Sequence, residues 1–196
     1  MHDTPTGRSE GGVAGASQVI GRSGAILAGM RPIPDGEWRQ LQVASRTSAG
    51  IVLFRRRGAF VEVLLAHPGG PMFARKDAGH WTIPKGEVEP GEELLAVARR
   101  EFEEETGQAV PVGPTIELGS IVQKGGKTVH AWAVEGDLDP AAAVSNTFEL
   151  AWPPGTGQRQ IFPEIDRVEW FAPDEARRRI KETQIPLLDR LEAALG

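Results

Sequence analysis

The chain has 196 residues, a formal net charge of −5 at pH 7, 40% hydrophobic residues and no cysteine. Disulfides, thiolate metal centres and a cysteine nucleophile are excluded, and an acidic chain lacks the broad basic surface of a nucleic-acid polymer binder. No apolar run approaches membrane-spanning length and the N-terminus has no secretory pattern, so the expectation is a cytoplasmic protein away from membranes, with one domain and a tail.

Residues 1–44 read as a flexible tail, rich in Gly, Ser and polar residues and without sustained periodicity. Trp38, Leu41 and Val43 offer its last part a way to dock. The folded domain is expected over residues 45–196. Ile51 to Phe54 and Phe60 to Ala66 read as two strands joined by the polar turn Arg55 to Ala59, a hairpin. His67 to Pro71 breaks the pattern, and a loop runs through Arg75 and Lys76 to His80. Trp81 to Ile83 reads as a short strand, after which Pro84, Lys85 and Gly86 turn the chain. Pro90 and Gly91 open a helix that runs to Thr106, where Gly107 ends it; Leu95, Ala98 and Phe102 form its core face. Ile116 to Gln123 and Thr128 to Glu135 alternate as strands around a Gly-Gly tip. Residues 136–162 read as a Pro- and Gly-rich excursion carrying Phe148 and Trp152. Arg167 to Phe171 is a further strand, and Pro173 opens a final helix that Pro186 should interrupt. This order of elements is α+β.

The chemistry concentrates in the central helix. Glu101, Glu104 and Glu105 stand at i, i+3 and i+4, which places three carboxylates on one face. Their mutual repulsion makes sense around a divalent cation, and oxygen-only ligation with room for phosphate oxygens suits Mg²⁺ or Mn²⁺. The alternative is a solvated acidic face, but a charge run has no reason to keep a fixed register. Gly86, Glu92, Arg100, Glu101, Glu104, Glu105 and Gly107 fall in the register of the Nudix box, and the run resembles it. Phe102 and Gln108 replace its two aliphatic positions.

The resemblance implies a Nudix-type α/β/α sandwich around a central mixed sheet, and hydrolysis of a nucleoside diphosphate linked to another group. It implies Glu101, Glu104 and Glu105 as metal ligands, with the Lys85 carbonyl a further ligand and Gly86 permitting close approach of the backbone. Either Glu101 or Glu105 could instead relay a proton. Arg100 is expected to fix carboxylate rotamers, Glu92 to favour the helix dipole, and Lys85 to meet phosphate. His80 and Arg75 are weaker substrate-binding candidates. Lys124 and Lys127 read as a solvated turn. Glu164 is expected to bring a fourth carboxylate from a loop, with Glu149 its rival.

The segment His80, Trp81, Thr82, Pro84, Lys85 and Gly86 is similar to one in asymmetric diadenosine tetraphosphate hydrolases. Lys127, Thr128, Val129 and Trp132 look like a second such stretch. The chain has no tyrosine, so a base would have to stack on Phe73, Phe148, Trp152 or Phe162. Three expectations follow: a dinucleoside polyphosphate hydrolase; a Nudix enzyme for nucleoside triphosphates, nucleotide sugars or diphosphoinositol polyphosphates; or a non-catalytic nucleotide sensor. A small nucleotide or polyphosphate is the expected partner, and the sequence leaves oligomeric state open.

Overall fold

The structure, a computed structural model, describes residues 46–58 and 60–196, so the expected tail of residues 1–44 lies outside the described residues. A mixed sheet runs in the order β4, β5, β1, β2, β8. β1 (Thr47–Arg57) sits at its centre and is buried continuously from Ser48 to Phe54. It pairs in parallel with β5 (Thr128–Glu135) and antiparallel with β2 (Phe60–Pro68). β4 (Thr115–Val122) pairs antiparallel with β5, and β8 (Ile165–Phe171) with β2.

Alternation along β1 feeds two cores. Ala49, Ile51 and Leu53 point to one face and meet Val97, Ala98 and Phe102 of helix α1 (Leu94–Thr106). Val52 and Phe54 point to the other and meet Leu187, Leu188 and Leu191 of α3 (Ile185–Leu195), with Ala176 of α2 (Pro173–Arg179). Full burial of an apolar side chain of this size contributes about 1.5–3 kcal/mol, so both layers are held by the same central strand. The result is an α/β/α sandwich with α+β element order, as expected.

Four local expectations need correction. Residues 81 and 82 form isolated bridges, not a strand, while the expected turn contains β3 (Lys85–Glu87), antiparallel to the start of β1. The reason is a splayed hairpin: β1 and β2 pair only from Phe54 to Arg57. Residues 82–87 fill the opening, through Ala66 N–H to Thr82 O at 2.8 Å and Ile51 N–H to Pro84 O at 3.0 Å. Second, α1 begins at Leu94, after Pro90 and Gly91, because the Glu93 carboxylate caps the Ala96 N–H at 2.8 Å. Its buried face is Val97, Ala98, Phe102 and Thr106, with Leu95 only half-buried. Gly107 ends it at φ 71°, a conformation that favours glycine.

Third, the excursion contains a hairpin of its own, β6 (Thr147–Ala151) with β7 (Arg159–Pro163). Fourth, the final helix is two helices. The break falls at Ile180, and Pro186 lies in the first turn of α3, where its missing N–H removes no helical bond.

The link between α2 and α3 is tied to the site-bearing segment. Trp81 donates its N–H to Arg179 O, and Lys181 donates its own to Trp81 O at 2.9 Å. Gln184, fully buried, accepts the Ile83 N–H at 3.0 Å and donates to Thr82 Oγ1 at 2.9 Å. Replacing Gln184 with Ala would strand a buried N–H. The expected loss is about 1–3 kcal/mol in urea unfolding; a loss below a few tenths would show that this bond does not fasten the segment.

Candidate active site

Two backbone features position the acidic face of α1. Insertion of residues 82–87 between β1 and β2 lays β3 against the helix, and the Lys85 N–H donates to Glu105 Oε2 at 2.9 Å. Beside it, a Cβ on Gly86 would fall 1.6 Å from Glu101 Oε2, so the Glu101 carboxylate occupies the space that a side chain would take. Glycine is thus required here for close approach.

Arg100 organises the outer side. Its Nη1 lies 2.7 Å from Glu101 Oε1 and 3.1 Å from Glu104 Oε1, and its Nη2 lies 3.7 Å from Glu92. Glu104 is the more exposed of the pair, at 39% against 15% for Glu101. Glu92 lies before the helix, and its carboxylate accepts the Glu89 N–H at 2.8 Å. It therefore closes the loop ahead of α1 rather than decorating the first helical turn.

Burial sets the electrostatics. It pushes the Glu105 carboxyl up to about 7; the Lys85 charge and N–H oppose the shift, and the charges of Glu101 and Glu164 add to it. Burial also raises Glu101, against the pull of Arg100 and with further pushes from Glu104 and Glu164. The Lys85 ammonium is depressed, first by burial, with Glu105, Glu101 and Glu87 opposing.

Glu164 approaches through the backbone. Asn146 donates its N–H to Glu104 O at 3.1 Å, Glu164 donates to Asn146 O at 2.8 Å, and Gly69 donates to Glu164 O at 2.8 Å. The foot of the β6–β7 hairpin is therefore bonded to the end of α1. The Glu164 side chain is exposed, yet its charge acts on both Glu101 and Glu105. Glu149 lies on β6 and pairs with Arg159. His80 bonds the Ala78 carbonyl and meets Phe73 edge-on, while Arg75 is exposed on the same loop. Among the described residues, neither makes a hydrogen bond or ion pair with the acidic face.

Among the described residues, no three carboxylates or histidines gather as they stand into a set that could hold a metal. The physical reason lies in their present partners: Glu105 is turned to Lys85 N–H, and Glu101 and Glu104 are shared by Arg100. The donor chemistry nevertheless fits a hard divalent cation. Glu101 and Glu105 are oxygen donors, and burial, the main cause of their raised proton affinity, leaves their charge poorly solvated.

Sequence reasoning missed two lysines. Lys127, read as part of a solvated turn, is largely buried along its side chain and bonds Glu87 at 3.1 Å. Lys181, from the link between α2 and α3, feels the charges of Lys85, Glu105 and Lys127. Residues 85, 127 and 181 come from three distant segments, and no local pattern announces their meeting.

An asymmetrical bis(5'-nucleosyl)-tetraphosphatase from Rattus norvegicus is 36% identical over 99 residues, 45% of this chain and 63% of that protein. The chain thus matches under two thirds of this relative's length. An 8-oxo-(d)GTP phosphatase from Mycolicibacterium smegmatis is 32% identical over 122 residues, 55% of this chain and 34% of that protein. In fold, the chain is similar to an Ap4A hydrolase from C. elegans crystallised as a binary complex, with TM-score 0.51 and 23% identity over 76% of this chain and 97% of that one. The model of the NUDIX domain matches residues 44–191, and with the acidic helix face, its glycine and its arginine in place, the chain belongs to the Nudix family.

Proposed function

We propose that this chain is a divalent-metal-dependent hydrolase of a phosphoanhydride bond in a nucleoside diphosphate-linked substrate, with a dinucleoside polyphosphate such as diadenosine tetraphosphate the best fit. The observation that carries the reading is the half-buried, mutually repelling pair Glu101 and Glu105, held against the backbone of Lys85 and Gly86. The similarity to an asymmetrical tetraphosphatase supports the substrate class.

Mg²⁺ or Mn²⁺, held by Glu101, Glu104, Glu105 and the Lys85 carbonyl, would neutralise phosphate oxygens and acidify an attacking water. The chain's own groups do the rest. Lys85 faces the incoming phosphate with an ammonium already stripped of much of its water. Arg100 fixes the carboxylate that it grips. Glu164, bonded through Asn146 to the end of α1, would accept a proton. A second reading, a nucleoside triphosphate substrate, is favoured by the similarity to an 8-oxo-(d)GTP phosphatase. Incubation with a nucleotide panel and Mg²⁺, with products separated by chromatography, tests both. ATP plus AMP from diadenosine tetraphosphate supports the first, and release of pyrophosphate from triphosphates alone would move the assignment to the second.

Gly86→Ala probes the close approach. The group displaced is the free end of the Glu101 side chain, so the fold should survive while the carboxylate is expelled. Melting within a few degrees of the unaltered protein is expected, with turnover down by about 10²-fold or more. Full activity would show that the contact with Glu101 is irrelevant.

Glu105→Gln should separate function from stability. With the folded carboxyl at about 7, against 4.5 ordinarily, the folded state binds a proton that the unfolded chain has released between those values. Stability without metal therefore falls as pH rises through that window, by up to about 3 kcal/mol. The glutamine keeps the bond to Lys85 N–H and removes the penalty. In chelator, the variant should melt higher than the unaltered protein at pH 8 and much as it does at pH 5, while turnover with Mg²⁺ drops by orders of magnitude. An equal difference at both pH values would refute the buried-charge account.

A further inference from the structure

A cleft of about 460 Å³ is lined by Gly79, Gln123, Lys124, Lys181, Glu182 and Thr183. Its size is that of a small-ligand site, and no aromatic ring lines it. Gln123 is held at the β4–β5 turn by its N–H to Lys127 O at 2.8 Å, and its side-chain Nε2 is buried without a hydrogen-bond partner. A buried amide donor left unpaired is costly, and because Gln123 stands in the cleft lining, a turn of its side-chain amide would bring that donor to an acceptor from outside. Lys181 comes from the opposite wall. Its backbone is pinned to Trp81 O, and among the described residues no carboxylate lies within ion-pair distance of its ammonium.

One residue of the lining, Lys181, lies within electrostatic reach of the acidic helix. Lys181 feels Lys85 and Lys127 as repulsion and Glu105 as attraction, and burial depresses it further. Three ammonium groups thus crowd together in a chain whose net charge is −5. The one carboxylate on the lining is Glu182, which is exposed. Lys127 is paired with Glu87, and Lys85 feels Glu105 and Glu101, but Lys181 has no carboxylate partner among the described residues. A polyanion entering the cleft would relieve the remaining repulsion, and the orphan amide favours an acceptor-rich one. A nucleobase would find no stacking surface here.

We propose that Lys181 and Gln123 form a distal phosphate subsite, which holds phosphates of the substrate beyond the bond that is cleaved and so selects substrates with long phosphate chains over triphosphates. This rests on the hydrolase reading for the identity of the ligand, but the anion site itself can be tested without turnover.

The test uses the full chain and three variants, Lys181→Met, Lys181→Arg and Gln123→Leu. The first readout is calorimetric binding of inorganic tripolyphosphate without metal. Lys181→Met should weaken it roughly tenfold, the loss of one charge-assisted bond. Gln123→Leu should weaken it less, and Lys181→Arg should retain most of it. The second readout is kinetics with Mg²⁺ on adenosine 5'-tetraphosphate, diadenosine tetraphosphate and ATP. In Lys181→Met, KM should rise roughly tenfold for the two longer chains, and ATP and kcat should move by no more than about threefold. Unchanged tripolyphosphate affinity in Lys181→Met and Gln123→Leu overturns the subsite. A KM rise equal for ATP and the tetraphosphates overturns its distal placement. Lys181-dependent binding of tripolyphosphate by a protein that hydrolyses none of the nucleotides would refute the hydrolase reading while upholding the anion site.

Discussion

The site depends on the contact between the backbone of β3 and the acidic face of α1. Two carboxylates, Glu101 and Glu105, lie against Gly86 and the Lys85 N–H, and neither could remain there if β3 withdrew. Pulling carboxylates out of water against one another is unfavourable, so something must hold the strand in place. That support comes from the splayed β1–β2 hairpin, whose unpaired edges take up residues 82–87. It comes also from Gln184, which bonds the middle of the same segment from the far helical layer. The repulsion on α1 is thus borne by a bonding pattern that spans all three layers.

The same constraint explains the placement of positive charge. A conventional surface salt bridge would neutralise Glu101 and Glu105 at small benefit. Arg100 pairs with Glu101 and Glu104, while Lys85, Lys127 and Lys181 act through charge on one another and on the glutamates. Opposite charges are held near but not fully paired. Such an arrangement is weakly stabilising on its own and responds strongly to a ligand that carries both a cation and phosphate.

How much of this was legible in the sequence follows from how local each signal is. The register from Gly86 to Gly107 could be read directly, since a helix fixes the relation of i, i+3 and i+4 positions without help from the rest of the chain. The outer strands were legible for the same reason, with alternation and a Gly-Gly tip. β3 was not, because three residues after a proline resemble a turn, and their pairing partner lies 37 residues upstream, from Gly86 to Ala49. Pro186 was misread because a proline breaks a helix only when it lies inside one; here it lies in the first turn of α3. The lysine cluster was invisible, since its members meet only after the sheet and the α2–α3 link have formed.

The β6–β7 hairpin shows how an element outside the main sheet can still be tied to the acidic helix. It pairs only with itself, so its own strands give it little purchase on the domain. Its foot is another matter, with Asn146 bonded to Glu104 O, Glu164 to Asn146 and Gly69 to Glu164. Phe148, tilted against Phe162 at 6.1 Å, also lies over Gly70 at the start of the loop that carries Phe73 and His80. Phe148 and Phe162 on the hairpin and Phe73 on the loop therefore sit on two segments that share a bond through Glu164. A shift of either segment would act on the backbone of Glu164 directly, and through Asn146 on the last turn of α1. The hairpin's hold on the domain is in this way set at its foot, where Asn146, Glu164 and Gly69 are bonded in series, rather than at its tip.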